Sequence, residues 1–91
     1  MIRITAISRG QVQGVGYRYF VTECAHKTGV EGYVGNLPDG TVQIVAEGTR
    51  DVLDVFTRLI RAEHDPFIRV EDLAITTGEA TGEFPSFTIR W

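Results

Sequence analysis

An α+β sandwich, with two helices packed on one face of an antiparallel sheet, is the fold this sequence predicts. Three observations carry the prediction. Several short runs of apolar residues repeat with period two, and two longer runs repeat with helical period. The runs follow one another as strand, helix, strand, strand, helix, strand, with a short extra strand at the end. The length, 91 residues, suits a single domain spanning 1–91, and no linker composition divides it.

Ile2, Ile4 and Ala6 alternate with Arg3, Thr5 and Ile7, which reads as a strand. Gly10-Gln11-Val12-Gln13-Gly14-Val15-Gly16 is too rich in glycine for a stable helix or a long strand and reads as a loop. From Tyr17 the period becomes helical. Phe20, Val21, Cys24, Ala25 and Thr28 share one face, and Gly29 terminates the helix. Val30, Gly32 and Val34 open a second alternating run, and Val42, Ile44 and Ala46 a third. Pro38-Asp39-Gly40 supplies turn chemistry between them, so the two runs form a hairpin.

Thr49 is a candidate cap for the second helix, with Asp51 in the first turn where the helix dipole favours negative charge. Val52, Leu53, Phe56, Leu59 and Ile60 form its apolar face, and His64-Asp65-Pro66 is expected to end it. Ile68, Val70, Leu73 and Ile75 suggest a fourth strand whose spacing slips at Glu71-Asp72, where a bulge or short break is expected. A polar loop is expected from Thr76 to Glu83, and Phe87, Ile89 and Trp91 give a last short strand. This is the split βαβ, ferredoxin-like, arrangement with a short extra C-terminal strand.

The formal net charge of −3 argues against a protein that grips nucleic acid by neutralising phosphates, but leaves room for a local site for a small anion. Cys24 is the single cysteine, so an internal disulfide or a cysteine metal cluster is excluded. The Met1-Ile2-Arg3-Ile4 start runs straight into a strand and no long apolar span occurs. Neither a signal peptide nor a membrane span is expected, and a cytoplasmic setting is the default. Cys24 lies on the apolar helix face and reads as a structural thiol. His26 and His64 read as surface, as does Glu63-His64-Asp65. No cluster has metal-ligand spacing, so no metal or cofactor is expected.

The glycine loop joins a strand to a helix start. The first amides of a helix lack partners within it, and the dipole is positive there, so this is a place for an anion. Gly10, Gly14 and Gly16 let the backbone curl so that successive amides face one point. Arg18 stands at the start of the helix, where a cation is unfavourable by roughly 0.3 to 1 kcal/mol. A bound anion reverses that penalty, and a guanidinium fork matches phosphate oxygens. The Walker loop is rejected because Gly16 is followed by Tyr17-Arg18. The dinucleotide fingerprint is rejected because Tyr19 stands where a glycine is needed.

Gly10 to Arg18 resembles the signature loop of the acylphosphatase family, with a Val-Gln-Gly-Val core and an aromatic residue before an arginine. Gly32-Tyr33-Val34-Gly35-Asn36-Leu37-Pro38-Asp39-Gly40 is similar to that family's second motif. Length and element order fit as well, so the resemblance covers essentially the whole chain. It implies metal-free hydrolysis of acyl phosphates to a carboxylate and inorganic phosphate. The amides of Gln13, Gly14, Val15, Gly16, Tyr17 and Arg18 would hold the phosphate, Arg18 would bind the phosphoryl group, and Asn36 would orient the attacking water. Tyr17 replaces a commoner phenylalanine, and the Glu63-His64-Asp65-Pro66-Phe67 turn is less typical. No nucleic acid or membrane partner is implied, and a monomer is expected. Asn36 has a competing role, since asparagine beside a turn often bonds local backbone.

Two other readings stand beside this one. The chain could be a non-catalytic acylphosphatase-like module that binds phosphate or carbamoyl phosphate for a partner enzyme; larger maturation enzymes carry similar domains at their N-termini. The absence of a tether after Trp91 argues against it. An RNA-binding domain of the same broad fold needs aromatic and basic residues on its central strands. Thr41-Val42-Gln43-Ile44-Val45-Ala46-Glu47 has neither. Trp91 is expected to cover the sheet.

Overall fold

Strand β1 (Ile2–Gln11), helix α1 (Tyr17–Thr28), strands β2 (Glu31–Asn36) and β3 (Val42–Gly48), helix α2 (Arg50–Leu59) and strands β4 (Arg69–Glu79) and β5 (Phe87–Arg90) follow in order in the computed structural model, which describes residues 1–91. The strands lie side by side as β4-β1-β3-β2-β5. β1 pairs antiparallel with β3 and β4, and β2 antiparallel with β3. The extra strand differs: β5 joins the outer edge of β2 in parallel, from Gly32 beside Phe87 to Gly35 beside Arg90. The sheet is therefore mixed, with a four-strand antiparallel body.

Alternation decides what each strand buries. Ile4, Ala6 and Ser8 of β1, Val34 of β2 and Val42, Ile44 and Ala46 of β3 are buried. The apolar ones share one core with Val21, Cys24 and Ala25 of α1 and Leu53 and Phe56 of α2. Phe56 meets Phe87 of β5 edge-on at 6.0 Å between ring centroids, a favoured aromatic geometry. Cys24 sits inside this core, and burial pushes its thiol above the ordinary value, away from nucleophilic chemistry. His26 and His64 are exposed.

Two local expectations shift and a third is borne out. α2 ends at Leu59, before His64-Asp65-Pro66. Ala62 takes a left-handed backbone (φ 51°), which stops the helix first. The Asp65 carboxylate then turns the chain by accepting from the Phe67 and Ile68 amides at 2.8 and 3.0 Å. β4 runs on to Glu79 where a loop from Thr76 was expected, because Arg3 pairs with Gly78 and Ile2 with Glu79. Main-chain pairing with β1, rather than side-chain burial, holds that stretch, so its sequence shows little alternation. The slip at Glu71-Asp72 is a bulge: Arg9 faces Asp72 and Gly10 faces Val70, leaving Glu71 as the extra residue.

The segment from Ala80 to Ser86 carries the chain from one sheet edge to the other, and a buried carboxylate fastens it. Glu47 is only 4% exposed. It accepts from Arg3 Nε at 2.7 Å, from the Thr81 amide at 2.9 Å and from the Gly82 amide at 3.0 Å. Arg3 also donates to Glu83 at 2.6 Å. Burial alone would raise the Glu47 carboxyl, but the Thr81 amide, the Arg3 guanidinium and the Gly82 amide outweigh it and hold it at about 2. A carboxylate held lower in the folded chain than in the unfolded one stabilises the fold above the unfolded value. That contribution is lost as pH falls from about 4.5 towards about 2. Glu47→Gln is expected to cost about 2 kcal/mol at pH 7. Urea titrations at pH 7 and pH 3 check this, because the gap between wild type and variant should narrow at the lower pH.

Candidate active site

β1 leads directly into the glycine loop. Val12 is fully buried and Val15 packs against the core, so the loop is pinned at two points. Gly14 and Gly16 take left-handed backbone, with φ of 75° and 81°. Nothing crowds either residue, so backbone conformation rather than space demands glycine there. Gly10 and Gln11 belong to β1, and the loop proper starts at Val12.

The two helices begin differently. α2 caps itself, with Thr49 Oγ1 accepting from the Val52 amide at 3.4 Å and Asp51 in the first turn. α1 has Gly16 at its cap, no side-chain cap bond and no acid in its first turn. Its first helical bond runs from the Phe20 amide to Gly16 O at 3.1 Å. The amides of Tyr17, Arg18 and Tyr19 precede it and have no partner within the helix. The molecule thus supplies negative charge to one helix start and none to the other, where an anion would be favoured.

Arg18 stands in that first turn, half-buried. Its guanidinium forms no ion pair, and its Cζ lies 4.2 Å from the Trp91 ring centroid. Tyr17 contributes only its backbone to the site, because its side chain points into the core. There its hydroxyl donates to Ile60 O, at the end of α2, at 2.8 Å. Burial raises this phenol to about 12, so it stays a donor. The tyrosine that departs from the commoner phenylalanine uses its hydroxyl to join the two helices.

Asn36 closes β2 opposite Val42 and is exposed. The competing role at the turn belongs to another residue. Asp39 Oδ1 accepts from the Thr41 amide at 3.0 Å and from Thr41 Oγ1 at 2.6 Å. Those bonds with Thr41 hold the Asp39 carboxyl below its ordinary value. The loop and the hairpin are joined through Gln13, whose Nε2 donates to Leu37 O and Thr41 O, both at 2.9 Å. The side chain of a residue expected to serve through its amide therefore ties the anion loop to the residue after Asn36. The β2–β5 register ends with Gly35 beside Arg90. Asn36 and Trp91 accordingly leave the sheet at the same end, and Trp91 reaches Arg18 on α1. Trp91 does not cover the sheet, being 85% exposed.

None of the three surface depressions is lined by residues 13–18 or Asn36. No three His, Cys, Asp or Glu residues come together in a metal-binding group. No helix is long and apolar enough to cross a membrane.

A split βαβ sandwich with a glycine loop, a helix start free of side-chain caps and an unpaired arginine has the features of an α+β domain suited to a small anion. Comparisons with known proteins narrow the class. The acylphosphatase family model matches residues 4–89. An acylphosphatase of Methanospirillum hungatei is 46% identical over 90 residues, covering 99% of this chain and 98% of that protein. One of Thermus thermophilus is 42% identical over 82 residues, covering 90% and 92%. The crystal structure of acylphosphatase from Bacillus subtilis superposes over 100% of both chains with a TM-score of 0.93 at 36% identity. The chain belongs to the acylphosphatase family.

Proposed function

We propose that residues 1–91 act as one domain that hydrolyses the carboxyl–phosphate bond of acyl phosphates, releasing a carboxylate and inorganic phosphate. The phosphoryl group sits on the amides of Gln13, Gly14, Val15, Gly16, Tyr17 and Arg18 and on the Arg18 guanidinium, and Asn36 orients the attacking water. The observation that carries this reading is the start of α1, which has no side-chain cap bond and no acid of its own but holds an arginine. Family membership supports it.

The chemistry needs little more. Phosphoryl transfer has a loose transition state, so positioning and charge stabilisation supply most of the catalysis. The water oxygen bonds to phosphorus as the bond to the acyl oxygen breaks, and the carboxylate leaves with the electron pair. Its conjugate acid has a pKa of about 4, so it departs without a general acid. Asn36 accepts one hydrogen bond from the water and holds it in line, but cannot take its proton. A phosphoryl oxygen of the substrate takes it. No enzyme group then titrates in the rate near neutrality, and a pH–rate profile governed by one would sink this step.

The enzyme works as a cytoplasmic monomer, needs no metal and engages neither nucleic acid nor membrane in this reading. Turnover of benzoyl phosphate with a chelator present is the test. Binding of inorganic phosphate without turnover would instead identify a module that serves a partner enzyme. Gln13→Ala frees the loop from the Asn36 hairpin and is expected to lower kcat/KM about tenfold in the same assay, since small misplacements of reacting groups are costly. Unchanged kinetics would mean that the tie positions nothing.

A further inference from the structure

We propose that Trp91 is a positioning residue for Arg18, holding the guanidinium by its face and leaving its edge free for phosphoryl oxygens. The inference rests on the reading of Arg18 as the phosphoryl ligand. At 4.2 Å from the ring centroid, Arg18 Cζ is well inside the range of a cation–π contact. All five guanidinium donors lie around the rim of its plane. A ring at this distance restrains the group while offering none of the carboxylate oxygens that would occupy its donors.

Arg3 shows the alternative within the same chain. Its Nε and Nη2 are taken by Glu47, Thr81 and Glu83, and such an arginine has little left for a ligand. A carboxylate beside Arg18 would likewise occupy the donors that phosphate needs. Trp91 is itself steadied by Tyr19, whose ring lies edge-on at 6.5 Å. Core packing does not explain the tryptophan, which is 85% exposed. An arginine already held against a ring loses less freedom when phosphate arrives, so the contact tightens binding by pre-ordering the group.

Trp91 is the only tryptophan in the chain, so its emission reports on the site directly. The experiment titrates inorganic phosphate against wild type, Trp91→Leu, Trp91→Phe and Arg18→Ala by calorimetry, following emission where the tryptophan remains. Benzoyl phosphate kinetics run in parallel. Wild type should show a saturable emission change that Arg18→Ala lacks. Trp91→Leu should weaken phosphate binding and raise KM about three- to fivefold, with a smaller effect on kcat and an unchanged urea midpoint. Trp91→Phe, which keeps a π face, should recover a substantial part of the loss. If Trp91→Leu binds phosphate as tightly as wild type, or if phenylalanine does no better than leucine, the positioning role is overturned while Arg18 keeps its own. If Arg18→Ala binds phosphate as tightly as wild type, the reading of Arg18 falls and the inference falls with it.

Discussion

Arg18→Ala is expected to lower kcat/KM for benzoyl phosphate by about a thousandfold, the scale of losing a transition-state donor or a phosphoryl-binding arginine. The guanidinium supplies the only side-chain cation in the first turn of α1. Stability should move in the opposite sense. A cation in the first turn opposes the helix dipole, so its removal should leave the unfolding midpoint unchanged or raise it by the equivalent of about 0.5 kcal/mol. Loss of activity without loss of stability separates a binding role from a structural one. Arg18→Lys keeps the charge but not the planar fork, and should recover only part of the rate. A variant lacking Arg18 that retains activity within tenfold of wild type would remove this residue from the mechanism.

Asn36→Ala is expected to lower kcat about a hundredfold while leaving KM and the affinity for inorganic phosphate nearly unchanged. The reason is the division of labour at the site. In the proposed mechanism the loop amides and Arg18 hold the phosphoryl group, so deleting the water-orienting amide removes an interaction needed only on the way to the transition state. The hairpin should survive, because Asp39 and Thr41, not Asn36, make its turn bonds. Steady-state kinetics on benzoyl phosphate give the split. A raised KM with intact kcat would place Asn36 among the phosphate ligands instead.

Both residues were visible in the sequence for local reasons. Helical period begins just before Arg18, after a run of glycines, and strand period runs up to Asn36 before a Pro-Asp-Gly turn. Period, glycine and turn chemistry act over a few residues, and they made legible the element order, the irregularity at Glu71-Asp72, the cap at Thr49 and the glycine loop before α1. The family motifs then assigned roles to Arg18 and Asn36.

Tertiary structure decided what lies far apart in the chain. Gln13 bonds Leu37 and Thr41 across 24 and 28 residues, and Glu47 fastens Thr81 across 34. β5 joins β2 in parallel at the sheet edge, which carries Trp91 past the sheet it was expected to cover and onto Arg18. A side chain's own period states which way it faces, not which distant backbone it meets. Burial of Glu47 likewise followed from a loop that arrives from the other end of the chain. The sequence determined the order and type of the elements and the position of the glycine loop, because those depend on neighbouring residues, while the ends of α2 and β4 did not follow from it. Only the packed sheet determined how Gln13, Arg18, Asn36 and Trp91 share one end of it, because register is a property of pairs of strands.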